Sequence, residues 1–214
     1  KDDDFIKASD ILNESIERNE KILIFGDYDV DGYASTYLLY DFIKSLNSKC
    51  EYYIPDRFKD GYGPNKKLIK KLIDKNKYNL FIFVDCASNS SEELEYLYKI
   101  GIKVIVIDHH QIYENHNNKN IIIINPLKKL STNNFSILCA TTLVYFFIKY
   151  MNINIKKNQK FNDKKYLFFA ALATISDQMP LRNINRVIVD IGLNEFNNNN
   201  FSNLKKLIKI KKKF

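Results

Sequence analysis

Three carboxylates, Asp27, Asp29 and Asp31, occupy alternate positions in Gly26-Asp27-Tyr28-Asp29-Val30-Asp31-Gly32. Like charges packed this closely raise one another's pKa unless a cation or a set of donors neutralises them. A divalent metal is the simplest neutraliser. Asp85 follows the apolar run Leu80 to Val84, and Asp108-His109-His110 follows Lys103 to Ile107. Asp177, between the apolar run Leu167 to Ile175 and Pro180, is a further candidate ligand. An oxygen-rich donor set with one or two imidazoles and no thiolate cluster favours Mn²⁺ or Mg²⁺ over structural zinc. A pair of such ions can generate a hydroxide nucleophile and stabilise the entering and leaving oxygens of a phosphoryl centre.

The run Asp-x-Asp-x-Asp-Gly also opens an EF-hand calcium loop, which requires Glu at its twelfth position. That position is Leu38, and an apolar strand precedes the loop where an EF-hand has a helix, so this reading is set aside.

The elements that must position these groups alternate. A helix is expected from Lys1 to Asn19, a strand from Ile22 to Phe25, a helix from Tyr33 to Leu46 and a strand from Cys50 to Ile54. Asp56 to Pro64 is rich in glycine and proline and reads as a loop before a helix from Asn65 to about Lys75. The strand Leu80 to Val84, a helix capped by Ser90 or Ser91 and running through Ile100, and the strand Lys103 to Ile107 come next. Such alternation means right-handed βαβ units and an α/β fold: a mostly parallel sheet flanked by helices. All the acidic clusters then face the edge where ligands bind, beyond the carboxyl ends of the strands. After a short strand, Ile121 to Ile124, the chain becomes helical at Ile137 to Met151, Asp163 to Ile175 and Asn185 to Phe196, and Asn197 to Asn200 reads as a polar loop.

A net charge of +8 suits a polyanionic partner, but a chain heavy in Lys, Asn and Ile with no Trp can reach that balance by compositional drift alone. The three cysteines are too few and scattered for a disulfide framework and read as small core residues. No run resembles a membrane helix and the start is too acidic for a secretory signal, so a soluble, intracellular, cytoplasmic protein is expected. His116 stands in a polar stretch and reads as surface.

Assembled, these residues resemble the DHH phosphoesterase superfamily, and within it the RecJ-type exonucleases. Asp108-His109-His110 is similar to the motif that names the superfamily. Ile24 to Gly32 resembles the first RecJ motif, Val84-Asp85-Cys86 the second and Ala173 to Leu181 the fourth, while Pro55-x-Arg57-x-x-x-Gly61-Tyr62-Gly63 is similar to a loop of the RecJ branch. The resemblance implies two ions, Mn²⁺ or Mg²⁺, held by Asp29, Asp31, Asp85, His109 and Asp177, with Asp85 bridging and Asp27 behind them or as an outer ligand. It implies that Asp108 holds His109 in its tautomer and that His110 contacts the scissile phosphate. Arg57, whose fork suits bidentate contact, is the candidate for a substrate phosphate, together with the Gly61-Tyr62-Gly63 turn; pairing with Asp56 or Asp60 is its alternative. Two positions depart from the pattern. Phe25 stands where superfamily members often carry His, and Ala87 where the second motif usually has Gly.

The implied function is a metal-dependent phosphodiesterase that degrades single-stranded DNA 5′ to 3′ into mononucleotides. The alternatives are the same chemistry on RNA, short oligonucleotides, cyclic dinucleotides or phosphoadenosine phosphate, and a non-enzymatic DHH scaffold. Residues 1–200 are expected to form the catalytic domain. Residues 201–214, a basic amphipathic stretch, are expected to begin a linker or helix toward a second domain that family members close over substrate, with replication or repair proteins as possible further partners.

Overall fold

Four runs become strands with the expected ends, each apolar throughout apart from Lys103, which opens its run. In the computed structural model, which describes residues 3–114, 116, 118, 120–128, 135–154, 163–197 and 201, the order is α1 (Asp3–Glu17), β1 (Ile22–Phe25), α2 (Val30–Ser45), β2 (Cys50–Tyr53), α3 (Lys66–Lys75), β3 (Leu80–Val84), α4 (Ser91–Lys99), β4 (Lys103–Ile107), β5 (Ile121–Ile124), α5 (Ala140–Asn154), α6 (Asp163–Ser176) and α7 (Asn183–Asn197). β2 stops one residue short of Ile54, ahead of Pro55, which has no N–H to donate to a ladder.

All strand pairings are parallel, in the order β2-β1-β3-β4-β5. Side chains alternate between two cores, as a sheet covered on both faces requires. Ile24, Ile82, Ile105 and Ile122, aligned across the sheet, join the layer with residues of α1, α2, α5, α6 and α7. Their neighbours Leu23, Phe81, Phe83, Val104 and Val106 pack the other face beneath α3 and α4.

Three helix starts within the described residues differ from expectation by two residues or more, α7 beginning at Asn183 and not Asn185. α2 begins at Val30, not Tyr33, because the Asp29 side chain accepts the Gly32 N–H at 2.8 Å and caps the helix there. Asp31 and Gly32 therefore belong to its first turn. α5 begins at Ala140, not Ile137. Asn197, expected to open a loop, is the last residue of α7. Residues 198–200 and 202–214, with the boundary expected near 200 and the basic stretch Leu204 to Phe214, lie outside the described residues. Among the described residues no helix is long and apolar enough to cross a membrane.

Candidate metal centre

β2 and β3 lie on opposite sides of β1, so the strand order reverses there and a crevice opens beyond the carboxyl ends of β1 and β3. Asp27, Asp29 and Asp31 enter it from the β1–α2 turn, Asp85 from the end of β3 and Asp108-His109-His110 from the end of β4. Asp177 comes from just past α6, which packs on α2. The turn after β1 is tight: a Cβ on Gly32 would sit 2.4 Å from the Asp27 carbonyl oxygen, so only glycine lets α2 start this close to the strand.

His109 Nε2 lies 3.3 Å from Asp85 Oδ1, 3.5 Å from Asp177 Oδ2 and 3.6 Å from Asp31 Oδ2. Those contacts are long for hydrogen bonds, whereas neighbouring ligands of an octahedral ion bound at about 2.1 Å sit roughly 3 Å apart. Ligand atoms of Asp31, His109 and Asp177 fall within 4.8 Å of one another, and so do those of Asp27, Asp29 and Asp85 and those of Asp85, His109 and His110. Asp85 is thus common to two of the three sets.

The electrostatics fit a cation. Both carboxylate oxygens of Asp85 and Oδ1 of Asp27 are buried without a hydrogen-bond donor. The adjacent Asp29 carboxylate offers Asp85 only more acceptors. Burial first, then the charges of Asp31, Asp29 and Asp108, drives Asp85 well above the usual carboxylate range. Burial also lifts Asp27 to about 6 and raises Asp177. A divalent ion satisfies the orphaned oxygens and cancels the like-charge repulsion together. Asp29, Asp31, Asp85, His109 and Asp177 have the donor chemistry to hold it, with Asp27 beside them.

Asp108 does not hold His109, as the resemblance implied. Its Oδ1 is 2.7 Å from His110 Nδ1 and also accepts the backbone N–H of His109 at 2.7 Å and of His110 at 3.2 Å. Only the His110 ring is within reach, because the His109 ring turns toward Asp31, Asp85 and Asp177. Burial alone would raise the Asp108 pKa, but the bond and charge of His110 and the Ser88 contact outweigh it and hold Asp108 at about 2. The same bond raises His110.

His116, read as surface, is only partly exposed and is tied down. Its Nε2 lies 2.7 Å from the Ser88 carbonyl oxygen and the ring is partly buried, a loop-to-loop tie that its polar sequence neighbours conceal. Arg57 pairs with neither Asp56 nor Asp60: its guanidinium lies over the Tyr28 ring, 5.5 Å from the centroid. Tyr28 meets Tyr62 edge-on at 6.3 Å, and Tyr62 meets the His110 ring at 6.1 Å. Gly61 and Gly63 take φ of 81° and 67°, a left-handed backbone suited to glycine, and bring Tyr62 to His110.

Sequence reading missed the supports. The Asp31 carboxylate accepts the backbone N–H groups of Ala140 and Thr141, each at 2.8 Å, and so caps α5 from 109 residues away. Asn125, at the end of β5, donates from Nδ2 to Ser88 Oγ and to the His110 carbonyl, both at 2.9 Å, and its Oδ1 accepts the Leu127 N–H at 2.8 Å. Ser88 in turn donates its backbone N–H to Asp108 Oδ2 at 3.0 Å. The Asn125-Pro126 pair closing a strand was the one available signal.

Residues 21–174 match the DHH family, N-terminal domain. The chain is 31% identical over 204 residues to the single-stranded-DNA-specific exonuclease RecJ of Bacillus subtilis (strain 168), covering 95% of this chain and 25% of that protein. Among solved structures it resembles an exonuclease RecJ bound to manganese, with a TM-score of 0.78 and 25% identity over 88% of this chain and 47% of the other. RecJ of Thermus thermophilus in complex with Mn²⁺ has the same fold, with a TM-score of 0.74 and 23% identity over 89% of this chain and 26% of the other. The chain thus spans about a quarter of the length of its curated relative. With the family match covering most of its length, the chain belongs to the DHH family, as that family's N-terminal domain.

Proposed function

We propose that this chain is the catalytic part of a RecJ-type phosphodiesterase that digests single-stranded DNA from its 5′ end into mononucleotides with two divalent ions, Mn²⁺ or Mg²⁺. The observation that carries the reading is the pair of buried Asp85 oxygens without a donor, set among three further carboxylates and His109. Asp29, Asp31, Asp85, His109 and Asp177 would hold the ions, with Asp85 shared. When bound, such ions supply Lewis acidity, which provides a nucleophile at neutral pH and offsets charge at phosphorus.

The chain's own groups do the rest. Asp108 fixes a proton on His110 Nδ1 and turns the ring so that Nε2 can donate to a phosphate oxygen as negative charge develops there. Asn125, holding the His110 carbonyl, anchors the backbone from which that ring projects. Arg57 sits at the rim with its guanidinium plane already ordered on Tyr28, leaving its N–H groups available for a substrate phosphate.

A length series of single strands, labelled at either end and incubated with Mn²⁺ beside a matched duplex, tests this. Early release of the 5′ label as mononucleotide, with the duplex intact, is expected. Hydrolysis confined to substrates of two to five nucleotides would instead assign the site to oligonucleotide scavenging. Inertness together with an absence of metal binding would make the chain a scaffold.

A further inference from the structure

Residues 56–77 carry eight cations against three carboxylates, which accounts for five of the chain's net eight positive charges. Within this span, α3 buries Leu68, Ile69 and Leu72 and turns its lysines outward. They divide into two rows. Lys66 and Lys70 lean toward α4, Lys66 pairing with Glu92 and Lys70 lying 5.8 Å from the Tyr96 ring centroid. Lys67, Lys71 and Lys75, one turn apart on the other flank, are all exposed and make no direct ion pair among the described residues. Asp74, exposed on α3 between the two rows, is the one carboxylate among these lysines, and of the carboxylates on neighbouring segments Asp60 is engaged by the Tyr53 hydroxyl at 2.8 Å and Glu51 by Lys21 at 2.7 Å.

The loop that leads into α3, tied to it where the cap residue Asn65 donates from Nδ2 to the Asp60 carbonyl at 3.2 Å, carries an unburied aromatic. Phe58 is 94% exposed, a large apolar ring from which the fold gains nothing. Its presentation is built in: Asp56 Oδ1 accepts the backbone N–H groups of Phe58 and Lys59 at 2.9 and 3.1 Å, and Asp60 Oδ2 accepts that of Asp56 at 3.0 Å. The same loop carries Arg57, next to the metal centre. An open ring followed by a one-sided lysine row matches what a single nucleic-acid strand requires, a face for a base and cations for its backbone. The row from Lys67 to Lys75 is about 12 Å long, with successive lysines ~6 Å apart, so that each can meet a different phosphate of an extended strand.

We propose that Phe58 and the Lys67–Lys71–Lys75 row form a track for the part of a single-stranded nucleic acid that lies outside the metal centre, Phe58 stacking on a base and the lysines neutralising successive phosphates. The track rests on the proposed function for its direction, leading from the site down α3, and is tested by binding without hydrolysis.

Anisotropy of a labelled 20-nucleotide oligothymidylate is measured in EDTA across a salt series. The variants are Phe58→Ala, the triple Lys67→Gln/Lys71→Gln/Lys75→Gln, and a control triple of exposed lysines elsewhere, Lys44→Gln/Lys49→Gln/Lys99→Gln, with melting temperatures checking each fold. The track triple is expected to flatten the slope of log affinity against log salt by about 2, at ~0.7 per phosphate contact. Phe58→Ala is expected to weaken binding roughly 5- to 150-fold. An equal loss in the control triple would reduce the effect to net charge and overturn the track. So would unchanged binding in the track triple, or polyglutamate binding as tightly as the oligonucleotide. Mononucleotide release from a 5′-labelled single strand by the wild-type protein in Mn²⁺ is scored separately: its absence with track-dependent binding intact would sink the catalytic reading alone.

Discussion

The Asp31 carboxylate and the backbone of Thr141 meet at 2.8 Å, and through this bond a candidate metal ligand also closes the N-terminus of α5. Its other oxygen takes Ala140 N–H at the same distance. One buried side chain therefore serves both the site and the packing of the helical layer. Asp31→Ala should destabilise the metal-free protein by about 1–3 kcal/mol, since it removes a cap and leaves buried N–H groups unpaired. Asp177→Ala, at a more exposed carboxylate with no such partners, should leave metal-free stability within ~0.5 kcal/mol of wild type. Urea titrations in EDTA compare the two; equal stabilities would contradict the dual role of Asp31.

Asp85 carries the opposite trade. Its oxygens are buried, undonated and surrounded by like charge, so Asp85→Asn should raise the melting temperature of the metal-free protein while shrinking the further rise that Mn²⁺ gives. Asparagine also tolerates the φ of 61° at this position, so the backbone offers no objection. Calorimetry in EDTA and then in Mn²⁺ reads both effects. A melting temperature lowered in EDTA would count against repulsion at Asp85.

Ala87 takes a φ of 78°, the left-handed backbone for which glycine is the usual choice. Glycine relieves the strain of about 1 kcal/mol or more, but it gives up a buried methyl worth up to ~0.8 kcal/mol and adds unfolded-state entropy of about 0.4–1 kcal/mol. The effects nearly cancel, so Ala87→Gly should change stability by less than ~0.5 kcal/mol. Ala87→Val should lose more than ~2 kcal/mol, as a β-branched residue is an outlier there. Denaturant midpoints for the two variants decide it.

Asn125→Ala removes three hydrogen bonds and orphans the Leu127 N–H and the His110 carbonyl. A loss of about 2–3 kcal/mol is expected, with a displaced His110 ring signal by NMR. An unmoved His110 signal would mean that Asp108 positions the ring unaided.

How much of this was legible beforehand follows from where each determinant lies. β1, β3, β4 and β5 were placed to the residue because a short apolar run, opened in β4 by Lys103, is a local signal, and strands in that order bring Asp27 to Asp31, Asp85 and Asp108 to His110 to one edge without further information. The start of α5 was misplaced because Leu138 and Cys139 extend the apolar pattern, whereas the group that fixes the first turn is Asp31, a distant residue. The same limit hid His116, whose partner is the Ser88 carbonyl, and assigned Asp108 to the wrong imidazole: adjacency in Asp108-His109-His110 does not say which ring turns back. The exposed Phe58 was invisible for a related reason, since an aromatic in a loop reads the same whether buried or open.

The central claim is that the converged carboxylates are a divalent-metal centre, and titration of Mn²⁺ into the chelator-stripped protein by calorimetry tests it most directly. Two ions per chain are expected for the wild type, with at least one lost in His109→Ala and both weakened in Asp85→Asn. No binding heat, or a stoichiometry unchanged in His109→Ala together with an affinity unchanged in Asp85→Asn, would contradict it.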